Sequence, residues 1–526
     1  MFIYDSKKAA FYQMSREELF QYTNGRFLSD DKFQISKRYV HFNIEELCDV
    51  IANISPVKSS VSKIEKMEGG FSKALLITTE DASEYIVKIP CPNAGRPMYC
   101  TASEVAVLRF IRNHTTIPVP KVLAWSSDAS NPIGAEYIIM EKVPGVQVFK
   151  KWDDMGEYNR LSLIKRLTQW ERELSEVPFP AYGSLYYRSA LKETERIPLD
   201  SSIDSKGEFC IGPSCEPSWL LQSLPDFQCG PLRTLREMGE SLIDRSTFKV
   251  NQRTNTQCPS FLRGSTEVHL SLLHMAKIAL PAIADSPKFS DKAQPILWHT
   301  DLLMGNIFVS ENDPGTVTGI IDWQNTVVNP TFLQVRWPIF LTSPEEYQEG
   351  QVMPGLPADF EELDEGDKEM ALYNKAQATW TKAYEVASFL NNRKAWQGMQ
   401  ITPELKEIFR RCGETWDEGL IPLREVLIEI FLNQEDLGLA SESSRLSFTE
   451  EQIAQHKQEF AIYEEWHDMR KFAKEMLDTD DEGWVSPERE LDKLKSRNKM
   501  LFEYYVTKTQ KSFDEVKSMW PFPLDT

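Results

Sequence analysis

His299, Asp301 and Asn306 fall inside one short segment, LWHTDLLMGNIFVS (297–310), with apolar runs on both sides, and Asp322 follows in GIIDW. Two carboxylates and an amide oxygen gathered at one point make a hard, oxygen-rich site. Magnesium takes such a donor set and keeps water or phosphate for its remaining positions. Without a cation the acceptors would repel one another and forfeit solvation. The spacing can bring them together. Ile307–Ser310 reads as a strand, ENDPG (311–315) as a turn marked by Asp313-Pro314-Gly315, and TVTGIIDW as the returning strand. Folded about Pro314, the hairpin sets Asn306 and Asp322 side by side at its open end, with Asp301 in the lead-in loop. A blander reading has Asp301 capping a turn and Asp322 closing a strand. The whole pattern, D-x4-N followed by a hairpin ending in IIDW, favours the site. His299 is expected to fasten the loop by hydrogen bonding rather than to transfer a proton.

Magnesium at such a site carries phosphates, and phosphates need a counter-cation. In EYIVKIP (84–90), Tyr85, Val87 and Ile89 occupy one face and Lys88 the other. A buried lysine needs a carboxylate partner, and Glu104 on the following helix can supply it. Thr101-x-x-Glu104 can also be read as a capping box. The ion pair is favoured because Lys88 has no other evident partner.

These groups must be positioned by two kinds of architecture. VSKIEKMEGGFSKALLITT (61–79) reads as two strands joined at Gly69 and Gly70, Asp81–Ser83 as a turn, TASEVAVLRFIRNH as a helix, and VPKVLAWSS and GAEYIIMEKV as strands. The order β-β-β-α-β-β over 61–143 describes a small antiparallel sheet carrying one helix. Before it, Ser15 with Glu18 and Asn43 with Glu46 open helices, the second with Ile44, Leu47, Ile51 and Ile54 along one face. Beyond it, 157–176 reads as a helix. Residues 180–262, rich in Pro, Gly, Ser and Cys, read as a long insertion over a site. TEVHLSLLHMAKIALPAIA (266–284) is a helix with Val268, Leu272, Met275, Ala279 and Ile283 on one stripe. After Gly350 the chain is helical and acidic. Phe460, Tyr463 and Trp466 share one side of a helix, and Ser486 and Pro487 are expected to start another. The predicted division is a helical extension (1–60), a nucleotide-binding lobe (61–145), a larger lobe (146–440) holding the insertion, and a C-terminal helical extension packed on that lobe (441–526).

Composition sets bounds. The chain has 526 residues and a formal net charge of −20, which argues against a broad nucleic-acid surface but leaves room for one small anionic ligand met by a few placed cations. No apolar run is long enough to predict a membrane-spanning helix. The eight cysteines lack paired metal spacing; CIGPSC has no second pair, and all eight read as reduced thiols.

Lys88, Glu104, HTDLLMGN and IIDW together resemble the kinase-like phosphotransferases, in the aminoglycoside and choline phosphotransferase branch; IDW stands where protein kinases have DFG, and no APE segment follows. Longer strings, among them RYVHFNIEEL, FCIGPS, GIIDWQNT, HKQEFAIYEEWHDM and DTDDEGWVSPE, resemble the fungal family of altered inheritance of mitochondria protein nine. The resemblance implies an α+β, two-lobed protein-kinase-like fold with a small antiparallel sheet and a large, mainly helical lobe. It implies ATP and Mg2+ as cofactors and transfer of the γ-phosphate to a hydroxyl of a small-molecule acceptor. Lys88 would contact the α- and β-phosphates with Glu104 holding it, and Gly69 and Gly70 would cover them. Met140, Glu141 and Val143 would present backbone to adenine, Asp301 would accept the hydroxyl proton, and Asn306 and Asp322 would hold the metal. EGGFSKA is a thin phosphate loop, Thr300 stands where a glycine is common, and Leu303 where relatives carry a polar residue. The alternative reading is a catalytically weak nucleotide-binding or mitochondrial interaction protein. The family name implies a mitochondrial location, while the first 20 residues lack the Arg-rich, acid-poor character of a transit peptide, which leaves a cytoplasmic one as the alternative.

Overall fold

Alternation builds the smaller lobe. Strands Val61–Glu68, Ser72–Thr79 and Glu84–Pro90 turn alternate side chains into a covered face. Tyr137–Glu141 and Val122–Ser126 extend the antiparallel run, and helix Tyr99–His114 packs on those last strands. The expected β-β-β-α-β-β order is therefore present. The computed structural model describes residues 2–5, 14–54, 57–219, 229–252, 258–289, 291–345, 347–439 and 446–524.

The N-terminal extension departs from the wholly helical expectation. Helices Arg16–Phe20, Asp31–Ser36 and Ile44–Ile54 are there, and Ser15 and Glu18 form their capping box. But Phe2–Asp5 is a strand, parallel to Val61–Glu68, with Phe2 opposite Lys63. An outer strand presents a row of unpaired N–H and C=O groups, and this demand, invisible in a local window, recruits the segment. Ile44, Leu47 and Ile51 bury against Ile64, Leu75, Ile77 and Ile89 of the sheet.

The larger lobe is mainly helical. Thr266–Ala284 forms as expected, and Leu272, Ala279 and Ile283 of its expected stripe are buried, but His269, Leu273, Ala276 and Leu280 share that buried face and Val268 is exposed. The core contact is thus turned by about one residue from the expected stripe. Segment 180–262 has regular elements among its described residues. It holds a three-stranded sheet (Ile197–Pro198, Phe209–Gly212, Ser184–Tyr187) and helix Leu235–Gln252, and the sheet packs against Tyr99–His114. Phe110 meets Phe209 edge-on at 5.4 Å between ring centroids.

The last helices pack on the larger lobe, with Leu494, Phe502 and Val516 in one core with Leu272 and Leu423. They also clasp the N-terminal arm. Trp484–Val485 pairs with Arg26–Phe27, Trp484 Nε1 donates to Asn24 O at 2.9 Å, and Arg38 forms an ion pair with Glu482. The helix expected to start at Ser486 begins at Leu491 instead, because Ser486–Arg489 closes a turn of its own through Arg489 N to Ser486 O. All eight cysteines are free thiols. Among the described residues no helix is long and apolar enough to cross a membrane.

Candidate active site

The hairpin forms as the spacing predicts. Ile307 pairs with Ile320 across strands Ile307–Val309 and Val317–Ile320. Asp313 closes the turn, its carboxylate accepting from Thr316 Oγ1 at 2.6 Å. One step beyond that pair, Ile321 N donates to Asn306 O at 2.9 Å, which brings Asn306 and Asp322 to the same open end. The Asn306 amide donates to the Asp301 backbone oxygen at 2.9 Å and to Asp301 Oδ2 at 3.4 Å. Its own Oδ1 therefore turns away from Asp301, whose side chain is exposed. Asp322 sits at φ 63°, a left-handed conformation uncommon for a non-glycine residue and frequent at functional sites.

His299 is buried, and burial lowers its pKa, so the neutral ring donates its Nε2–H to Ile321 O at 2.9 Å. It stands edge-on to Trp323 with ring centroids 4.5 Å apart. The imidazole thus pins the lead-in loop to the end of the returning strand, in keeping with the supporting position expected for it.

Lys88 bridges the lobes. Its Nζ lies 2.7 Å from Glu104 Oε1 and 2.7 Å from Asp322 Oδ1. The capping alternative for Glu104 fails because helix Tyr99–His114 starts upstream of Thr101, with Met98 as its cap. Burial alone would lower the Lys88 pKa, but Asp322 and Glu104 outweigh it and the net shift is upward. Lys88 in turn lowers Asp322, whereas burial raises Glu104 against the pull of Lys88. The direct Lys88–Asp322 contact was not foreseen, although opposite charges assigned to one site were its signal. Glu104 is sealed at 5% side-chain exposure, while Asp322 keeps 43%.

The glycine turn is anchored from behind. Gly70 O accepts from Arg38 Nε at 3.0 Å and from Asn93 Nδ2 at 3.1 Å, and Gly69 N donates to Ser72 O at 3.1 Å. A Cβ on Gly70 would meet nothing within 4 Å, so packing does not demand glycine there and the turn is open to approach. In the connection between lobes, Met140 is buried, Glu141 is exposed, and Glu141 N is committed to Lys121 O at 3.0 Å. Val143 packs over Gly319, where any side chain would collide with it, and Gly145, at φ +95°, lies so close to Val309 O that a Cβ would clash. The connection is therefore pressed against the hairpin, and Val146–Gln147 adds to it as a third strand.

Residues 63–204 and 221–333, which reach into both lobes and include Lys88, Glu104, His299, Asp301, Asn306 and Asp322, match the phosphotransferase enzyme family. Over those segments the chain is similar to that family, and its small antiparallel sheet beside a mainly helical lobe is the two-lobed arrangement expected. The chain is 29% identical over 467 residues to a subtelomeric hrmA-associated cluster protein of Aspergillus fumigatus, covering 80% of this chain and 88% of that one. It is 23% identical over 510 residues to altered inheritance of mitochondria protein 9, mitochondrial, of Yarrowia lipolytica, with 90% and 83% covered. The protein of that name from Candida albicans is also 23% identical, over 522 residues, with 85% and 82% covered. The resemblance expected from the longer strings is thus borne out. Among solved structures, a putative aminoglycoside phosphotransferase from Ralstonia eutropha aligns over 73% of this chain and 99% of its own at 13% identity, TM-score 0.35. The ADP-bound aminoglycoside phosphotransferase APH(2'')-Ib aligns over 71% and 100% at 13% identity, TM-score 0.33.

Proposed function

We propose that the protein transfers the γ-phosphate of ATP, with magnesium, to a hydroxyl of a small-molecule acceptor. The observation that carries this reading is the meeting of Lys88 and Glu104 of the small lobe with Asp322 of the hairpin, beside Asn306 and the exposed Asp301. A fixed ammonium, two oxygen donors and a nearby carboxylate are what positioning and charge neutralisation at a phosphoryl group require.

The donor set suits magnesium. Among the described residues no group of three or more His, Cys, Asp or Glu forms a closed cage. One carboxylate and one amide oxygen, Asp322 and Asn306 Oδ1, leave positions for phosphate and water, as magnesium prefers. When bound, the ion would neutralise charge on the phosphates. Lys88, held by Glu104, would contact phosphate oxygens, and Gly69 and Gly70 would cover them. Adenine would lie against Met140–Val143, with the Glu141 amide already engaged by Lys121. Asp301 would orient the acceptor hydroxyl and take its proton. The relatives' names support a mitochondrial location; fractionation that finds only a cytosolic pool would defeat it.

The test is a metabolite screen by mass spectrometry with the purified protein, ATP and magnesium, comparing wild type with Asp301→Asn. The expected result is one acceptor gaining a phosphate, with a rate lower by about 10^2–10^4 in the variant. Equal turnover in both forms overturns catalysis at this site. A magnesium-dependent thermal shift by ATP with no turnover on any acceptor would favour the weaker alternative, a nucleotide-binding protein without catalysis.

A further inference from the structure

A second groove lies on the outer side of the helix that carries Glu104. It has a volume of about 710 Å³ and is bounded by that helix, the strand Val122–Ser126 and the sheet of the 180–262 segment. Its lining holds none of Lys88, Glu104, Asp301, Asn306 and Asp322, and it touches the connection between the lobes through Lys121, whose backbone oxygen holds Glu141 N. Five cations face it, Arg109 and Arg112 from the helix, Lys121 beside the strand, and Arg188 and Arg196 from the inserted sheet, against one carboxylate, Glu208. In a chain of net charge −20 such a cluster is not the ordinary surface. Nor are the cations spent on one another's counter-ions. Among the described residues Arg109, Arg112, Lys121 and Arg188 form no salt bridge, and the partner of Arg196, Glu193, is 90% exposed. The guanidinium of Arg196 is fixed by the carbonyls of Arg188 and Leu191, and that of Arg112 by Val119 O at 3.2 Å. Trp125 and Tyr187 stack at 6.1 Å and 20° in the groove wall, a flat apolar surface beside the charges.

We infer that this groove binds a small anion bearing two or more phosphate groups, with a flat part laid on Trp125 and Tyr187. Guanidinium forks match phosphate geometry, converging like charges lower their mutual repulsion by taking up a polyanion, and the volume is that of a metabolite site. The binding claim does not depend on the proposed phosphotransfer.

The probe is inorganic pyrophosphate without magnesium, titrated calorimetrically into the full chain. Arg109→Glu with Arg112→Glu, and separately Lys121→Glu with Arg188→Glu, should each weaken binding at least tenfold. Lys88→Met, in the other site, should leave it unchanged. Thermal unfolding checks that each variant is folded, and Lys121→Gln with Arg188→Gln replaces any pair that is not. Absence of binding to wild type, or wild-type affinity in the charge-reversed variants, overturns the inference. So does loss confined to Lys88→Met, which would place the pyrophosphate at the candidate active site.

Discussion

The small lobe buries two lysine–carboxylate clusters, and they are built differently. In the first, Lys66 and Lys73 are fully buried and share Glu68, itself 3% exposed, at 3.1 and 2.6 Å. Lys66 also donates to Glu18 O, Gln21 O and Thr23 Oγ1, Lys73 to Gln21 O, and Glu68 accepts from Thr23 N at 2.8 Å. Every charge is met, and the bonds to Glu18, Gln21 and Thr23 run to the arm 18–23. The cluster staples that arm to the sheet. In the second, Lys88 has two carboxylate partners, and one of them, Asp322, comes from the other lobe and remains 43% exposed. A closed network serves position; a network with one member facing solvent can exchange a partner for a ligand.

The sharpest way to break this comparison is to remove the exposed member. Under the proposed reaction, Asp322→Asn should lower phosphotransfer about a thousandfold or more, since it removes the negative charge of the carboxylate assigned to the metal, worth several kcal/mol at the transition state. Its unfolding midpoint should stay close to wild type, because Lys88 keeps Glu104. A variant that unfolds readily but retains its turnover per folded molecule would make the second cluster as structural as the first.

The opposite substitution tests the closed cluster. Lys73→Met leaves Glu68 buried with a lost partner and should destabilise by about 3–5 kcal/mol, read by urea unfolding. Turnover per folded molecule should not change. A stable variant with impaired catalysis would reverse the assignment of the two clusters.

This contrast also marks what the sequence could show. The hairpin was legible because a turn signal, Asp313-Pro314-Gly315, fixes register locally, and register carries Asn306 and Asp322 to one end. Lys88 was legible through the alternation of a single strand. Lys66 and Lys73, more deeply buried than Lys88, were not singled out, because besides Glu68 they are held by groups of a distant arm that no spacing announces. Burial of a lysine is therefore no sign of a site by itself. The edge strand Phe2–Asp5 and the clasp between Arg26–Phe27 and Trp484–Val485 escaped for the same reason: both are settled by unpaired backbone elsewhere in the fold. The rotated stripe of Thr266–Ala284 shows that periodicity predicts a buried face more surely than its centre.

A third buried carboxylate sharpens the comparison, since among the described residues no cation forms a salt bridge with it. Glu171, on helix Glu157–Ser175, accepts a hydrogen bond from Tyr384 OH at 2.8 Å, and burial pushes its pKa up to about 8, with Tyr384 opposing. Here the charge is avoided rather than matched. The sign follows from linkage. Below about 4.5, its ordinary value, Glu171 holds its proton in both the folded and the unfolded chain. Between there and about 8 only the unfolded chain releases it, so wild-type stability falls as pH rises, and above about 8 the effect is complete. Glu171→Gln can still accept from Tyr384 and cannot ionise. Its stability relative to wild type should therefore rise by roughly 2–4 kcal/mol from pH 5 to pH 8, measured by urea unfolding at both. A difference that stays constant would mean that Glu171 is ionised in the folded protein, and that a cation or ordered water compensates it as Lys88 compensates Asp322.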